Sequence, residues 1–510
     1  MSVGDLMSWA GEKAGYLGHR TLRWIVIGAP AAVLLIFVAE QFSISAVNGW
    51  WTDELFSLWA SDPQIGFGTA FASRIAPDSN LPLYPALLYW VRTLVPDDRM
   101  AIFALNIVAL LGACATVIYL SARADQRLAG FMGTSLFVLS GPTLRYIPEG
   151  RVYFVAIAIS FVASWYAAVL LVQTRWRPSL ILPALIGIGA AFTHLFAALA
   201  CGALAAGIFG AAVLRRDRAL GKHALTLGIA ASITSAIWIA LANGSADNLQ
   251  WIEFTPFQVK AALWEVKQLA FGSRAAAVAF VAVVVLALLY RPTRLLTAVF
   301  IVALTLFFVL PVLVSFRFPI ITGRYWTIGT PLLLTLVTFL IAAWNPVAKG
   351  LPSLTIPAVG ITFATAFAVL SCIGGFMAAR SSTAMKPIWK GSEVAAPLLG
   401  ACPAGSVAVL GAPKLYAIMS KRPKSLFFDA ESAQLYSPTI ESSGCRVLGW
   451  AEHVRRGDHY LDRASDTELL QLLSIDARSG TYEIKRHGSG FVVLRSPSGP
   501  AKAIEFGRRL

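Results

Sequence analysis

The chain has 510 residues, 57% of them hydrophobic and only 14% charged, against about 25% charged in an ordinary soluble domain. Its mean hydropathy of +0.67 excludes a disordered chain, a coiled coil and a typical cytosolic enzyme, and five cysteines with no CxxC pair argue against a disulfide scaffold or a zinc ribbon. The net charge of +15 would suggest nucleic acid in a soluble protein; here short cytoplasmic loops account for it, no nucleic-acid partner is expected, and the composition reads as a polytopic α-helical membrane protein.

A bilayer core needs about 20 apolar residues per helix. The apolar runs, in chain order, are 24–42, 101–120, 128–144, 152–172, 180–194, 195–214, 224–242, 275–290, 295–316, 326–344 and 354–377, which makes eleven expected spans. Asp5 and Glu12 precede the first run, which lacks a small-residue cleavage site and reads as an uncleaved anchor. The loops then alternate in charge. Arg20/Arg23, Arg123/Arg127, Arg175/Arg177, Arg215/Arg216/Arg218 and Arg291/Arg294 lie in short basic loops, which the positive-inside rule places in the cytoplasm. Residues 43–100, 145–151, 193–195, 243–274 and 317–325 then face outward. The apolar stretch 81–95 is short and carries Pro82, Pro85 and Arg92; it reads as an interfacial or re-entrant helix, because a span there would turn every later basic loop outward. Residues 380–510 are polar and rich in Gly, Pro and Ser, with short strands such as 406–410 and 490–494 and a helix near 467–473. The expected organisation is a transmembrane domain over 1–379 and a small α/β extracytoplasmic domain over 380–510. No internal repeat is visible.

Ionisable groups at membrane depth are costly and by default mark function. Here they gather on the outer side. Asp53-Glu54 follow the first span among Trp50, Trp51 and Trp59; the alternative is an acidic loop end in an aromatic belt. Asp78-Ser-Asn80-Leu-Pro-Leu-Tyr84 opens the re-entrant run; the alternative is a plain turn. Arg145 and Arg151 flank Glu149 in a very short loop ahead of Tyr153. Arginines there suit a phosphate, through paired charge-assisted hydrogen bonds, or they form a salt bridge with Glu149. Thr193-His194 ends the fifth span, and Gly323-Arg324-Tyr325 opens the tenth. Arg317, Lys267 and Arg274 add positive charge outside, where an anionic ligand would explain it. Carboxylates and arginines on one face fit a reaction with a base and an anionic leaving group.

The ordered set of Asp53-Glu54, Asn80-Leu-Pro-Leu-Tyr84, Pro148-Glu-Gly-Arg-Val-Tyr153 and Gly323-Arg-Tyr325, with Thr193-His194, resembles the GT-C superfamily of integral-membrane glycosyltransferases. It looks closest to the group of the lipid A aminoarabinose transferase, the protein O-mannosyltransferases and the rhizobial lipopolysaccharide galacturonosyltransferases. The match covers roughly residues 20–345. Leu81 and Val152 stand where relatives carry proline.

The resemblance implies an inverting enzyme of the bacterial inner membrane. It would move a sugar from a polyprenyl-phosphate carrier to a cell-envelope acceptor, such as lipid A, a polysaccharide or another glycolipid, at the periplasmic face. It implies Asp53 as the base for the acceptor hydroxyl, with Glu54 as orienter or second choice. Arg324, with Arg151 and Arg145, would hold the leaving phosphate. Glu149, Tyr153, Tyr325, His194, Asn80 and Tyr84 would contact substrate. No cofactor is required, and an incidental divalent-metal site is left open. Two other classes fit the same charges: a lipid or sugar transporter or flippase, and a non-catalytic envelope-polysaccharide assembly protein. Cys402 and Cys445 are the only cysteines of the tail, which the topology puts in an oxidising compartment, so a Cys402–Cys445 disulfide is expected.

Overall fold

The computed structural model describes residues 32–40, 52–76, 81–173, 178–241, 254–318, 320–348 and 355–384. In the C-terminal part it describes short stretches between 395 and 496, chiefly 407–411, 427–429, 445–452, 465–473, 482–487 and 490–496. The helices in order are α1 (32–40), α2 (Thr52–Ala60), α3 (Phe67–Ala70), α4 (Leu83–Leu94), α5 (Asp98–Arg123), α6 (Arg127–Leu139), α7 (Gly141–Tyr146), α8 (Tyr153–Val172) and α9 (Ile181–Thr193). They continue as α10 (Leu195–Arg215), α11 (Arg218–Leu241), α12 (Pro256–Val266), α13 (Arg274–Leu289), α14 (Arg291–Ser315), α15 (Gly323–Thr327), α16 (Thr330–Ala348) and α17 (Ile356–Ala384).

Two compact units emerge. One holds residues 1–41 and 61–384, the other residues 42–60 and 385–510. The segment with Asp53 and Glu54 groups with the second unit.

In the first unit seven helices among the described residues are long and apolar enough to cross a membrane, or eight if the bent pair α12–α13 is one broken span. Large apolar side chains face outward from them, among them Leu111 (61% exposed), Ile233 (55%) and Val281 (60%). Water would not tolerate such a surface, and hydrocarbon accepts it. The chain is a multi-pass membrane protein. α8 is the central helix: Phe154, Phe161, Trp165 and Tyr166 are fully buried between α5, α10 and α16.

The eleven expected runs meet this arrangement unevenly. Runs 128–144 and 180–194 form helices of only 13 residues, α6 and α9, which are about 20 Å long. The first of these runs breaks at Ser140, which turns extended and accepts a hydrogen bond from Thr143 N (3.4 Å) to start α7, with Pro142 in its first turn. Hydropathy does not register that restart. Run 275–290 gives the 16-residue α13, joined to α12 by an 80° elbow. Gly272, at φ +66°, makes the turn, and its Cα packs on Gly374 of α17, where a Cβ on either glycine would collide with the other's backbone. The stretch read as re-entrant is α4, 12 residues long and too short to span. Most of run 24–42 lies outside the described residues.

In the second unit the described strands are β1 (Val407–Gly411), β2 (Phe427–Asp429), β3 (Gln434–Leu435), β4 (Val447–Glu452), β5 (Arg455–Arg456), β6 (His459–Tyr460), β7 (Tyr482–His487) and β8 (Gly490–Arg495). Six of them form one sheet in the order β3-β2-β1-β4-β8-β7. β1 runs parallel to both β2 and β4, and β8 runs antiparallel to β4 and β7. α18 (Asp466–Leu472) opens on a capping box between Ser465 and Glu468. It packs Leu469 and Leu470 on Ala408, Leu410, Phe491 and Val493. The alternate residues Val407, Val409 and Val492 are buried as well, which is why β1 and β8 read as continuous apolar runs. Cys402 and Cys445 form a disulfide.

Candidate active site

The first unit gathers charged and aromatic side chains where its helices break. α7 ends at Tyr146, and a turn of residues 147–152 leads into α8. Asn106 of α5, fully buried, ties this turn down by donating to the Ile147 and Glu149 carbonyls (2.8 and 3.1 Å). Arg145 donates to the Glu149 carboxylate at 3.4 Å across one turn. The other carboxylate oxygen, Oε1, is buried without a hydrogen-bond partner among the described residues.

Between α9 and α10 the chain is extended at His194 (φ −161°, ψ 137°). The His194 Nδ1 accepts from Phe196 N at 3.1 Å and so caps α10. With Nδ1 an acceptor, a neutral ring carries its proton on Nε2. The imidazole meets the Tyr325 ring edge-on at 4.8 Å and lies 5.9 Å from the Tyr153 ring. Tyr153 and Tyr325 are 6.1 Å apart, and the Arg324 guanidinium stands 5.8 Å over the Tyr153 ring. Tyr325 also packs on Phe196 at 5.2 Å.

Glu265, on α12, completes the group. The Tyr146 hydroxyl donates to its Oε1 at 3.0 Å. Burial, and then the Glu265 charge, push the Tyr146 phenol well above its ordinary value, so it stays protonated and remains a donor. The Glu265 side chain lies against Gly323: a Cβ there would strike Oε2, Cβ and Cδ of Glu265. Glycine at 323 is what lets α12 close on α15.

The arrangement is therefore a floor of tyrosines and His194, two carboxylates, and the guanidinium groups of Arg145 and Arg324, with Arg151 on the same turn as Glu149. Fixed guanidinium groups beside aromatic faces suit an anionic group attached to a sugar or lipid. Among the described residues no three of His, Cys, Asp and Glu stand where they would hold a metal ion.

Neither a family model nor a curated protein matches the chain. Solved structures do. The chain is similar to ArnT from Cupriavidus metallidurans in the apo state, at 12% identity and a TM-score of 0.49 over 91% of this chain and 98% of that one. The same protein bound to undecaprenyl phosphate gives 11% and 0.48 over 92% and 98%. An oligosaccharyltransferase of Archaeoglobus fulgidus tethered to an acceptor peptide gives 11% and 0.44 over 83% and 61%. With each TM-score below 0.5, the fold class rests on the helices and sheet described above.

Of the residues singled out in the sequence, the structure brings together Arg145, Glu149, Arg151, Tyr153, His194, Arg324 and Tyr325. Tyr84 is buried on α4, which packs on α5 and α9. Asp53 and Glu54 lie on α2 in the second unit. Glu54 is buried there with Ser57 and Leu58, one turn on. Asn80 lies outside the described residues. Lys267 stands over the Trp264 ring at 4.3 Å, and Arg274 and Arg317 are exposed. Three participants escaped the sequence reading: Glu265, Tyr146 and Asn106. Glu265 did carry a signal, as one of three acids, with Asp247 and Glu253, in the outward stretch 243–274. Asn106 sits inside a long apolar run, where a single amide stands out.

Proposed function

We propose that the chain is an inverting glycosyltransferase that takes a sugar from a polyprenyl-phosphate carrier and passes it to a cell-envelope acceptor. The observation that carries this reading is the Arg324 guanidinium over Tyr153, beside Tyr325 and His194, with Arg145 over the adjoining Tyr146 ring. A phosphate leaving group gains charge as the glycosidic bond breaks, and guanidinium groups already in place favour that state over the ground state. The aromatic rings offer flat faces to a sugar or a prenyl chain.

Asp53, from the family resemblance, is the proposed base that takes the acceptor proton, with Glu54 supporting it. Glu149, Tyr153, Tyr325, His194, Asn80 and Tyr84 are the proposed substrate contacts. We further propose that the site and the C-terminal domain, residues 380–510, lie on the periplasmic side of a bacterial inner membrane, because the short basic loops then lie inside. Cys402–Cys445 suits that oxidising side.

Purified protein given a labelled polyprenyl-phosphate sugar and an envelope extract tests the reading. Transfer of label to a new product, lost in Arg324→Ala, is the expected result. Movement of the donor across a vesicle without transfer identifies a flippase. Neither transfer nor movement identifies an assembly protein.

A further inference from the structure

Glu265 occupies an unusual place for an acid beside a phosphate site. It accepts from Tyr146 through one oxygen at 3.0 Å and rests on Gly323 through the rest of its side chain, one residue before Arg324. Burial raises its carboxyl above the ordinary value, and the Tyr146 hydrogen bond and the charges of Arg324 and Arg145 act against that rise and favour the charged form. Glu149 is already engaged by Arg145 at 3.4 Å, so Glu265 is the acid seated on the Gly323–Tyr325 turn. Glutamine would have filled the same space and accepted the same phenol hydrogen bond. What the carboxylate adds is negative charge, close to where an anion would bind, and that weakens binding.

A transferase gains from such weakening. Its product phosphate carries more negative charge than the diester donor, since the bond to the sugar is gone. Unopposed arginines would hold that product more tightly than the donor and delay its release. We propose that Glu265 is a positioning and charge-balancing residue of the arginine site, docking the Gly323–Tyr325 turn and offsetting its positive charge so that the spent polyprenyl phosphate leaves. This inference rests on the reading of the site given above.

The test measures binding of a polyprenyl phosphate to the purified full chain in detergent, for the wild type, Glu265→Gln, Glu265→Asp and Tyr146→Phe. Glu265→Gln should bind about tenfold more tightly, through slower dissociation, because one opposing charge is gone. Glu265→Asp keeps the charge and should return the affinity toward wild type. Tyr146→Phe removes the phenol donor but no charge, and leaves the Glu265 carboxylate less neutralised, so it should weaken binding rather than tighten it. In the transfer assay Glu265→Gln should slow multiple turnover while leaving a single turnover nearly unchanged.

A merely structural Glu265 predicts the opposite sign, since a loosened turn binds phosphate less well. Equal or weaker binding by Glu265→Gln, beside a wild type that binds, overturns the role of Glu265 and leaves the transferase reading standing. A Tyr146→Phe variant that tightens binding as much as Glu265→Gln overturns charge as the cause. A wild type with no affinity for polyprenyl phosphate overturns the reading of the site and this inference with it.

Discussion

In the sheet unit Leu469, Leu470, Phe491 and Val493 are at 2% exposure or less, and helix and strands close over them. In the helical unit Leu111, Val281 and Leu313, on helices no less apolar, stand at 57% or more. The first pattern is that of a fold in water, where apolar area is removed from solvent. The second belongs to a fold whose solvent is hydrocarbon, so apolar burial alone does not pull its helices together. Polar groups therefore sit differently in the two. The sheet unit keeps Glu483, Lys485 and Arg486 half exposed on β7. The helical unit places Arg145, Glu149, Tyr146 and Glu265 at helix breaks and pairs them with one another. Charges so arranged are costly to desolvate, and their retention points to chemistry rather than stability.

The strongest way to break this contrast is at the acidic pair of α2, which groups with the sheet unit yet carries the proposed base. Asp53→Asn should lower turnover by about 10²–10⁴-fold and leave polyprenyl-phosphate binding intact; steady-state transfer by purified protein checks this. Glu54→Gln should cost less. Near-normal turnover in Asp53→Asn would confine the chemistry to the helical unit.

Within that unit, Arg324→Ala should depress donor affinity and rate together, by about 10²-fold in kcat/KM. Arg324→Lys keeps charge but loses the fork, and should remain impaired. Donor titrations beside initial rates separate the two parameters.

The contrast sharpens at Cys402–Cys445, which closes a 43-residue separation in the sheet unit. Replacing both by serine should destabilise that unit by about 2–4 kcal/mol and leave the melting of the helical unit in place. Alkylation of unreduced protein and peptide mass spectrometry should find neither thiol free; two free thiols would argue for a cytoplasmic tail.

Gly323→Ala drives a methyl group into Glu265 and should cost about 1–3 kcal/mol, read as a lower melting temperature with reduced turnover. The smallest effect expected is that of Asn106→Leu on the turn that carries Glu149. Losing two hydrogen bonds there should cost about 1–3 kcal/mol, partly offset by the apolar replacement, again read by thermal melting.

The sequence by itself determined that the chain crosses a membrane many times, because apolar runs and basic loops are local properties that no packing reverses. It also singled out most of the charged and aromatic residues that gather at the helix breaks, as charged groups beside apolar helices are conspicuous. Only the tertiary structure decided that run 128–144 breaks at Ser140 and that α12 and α13 meet in an 80° elbow. Those breaks depend on capping and on the backbone contact of Gly272 with Gly374, which hydropathy does not sense. Only the tertiary structure brought Glu265 to Tyr146, across 119 residues of sequence, and gave Gly323 its reason. A hydrogen bond and a missing Cβ act over about 3 Å, and no spacing along the chain reports which distant segments come that close.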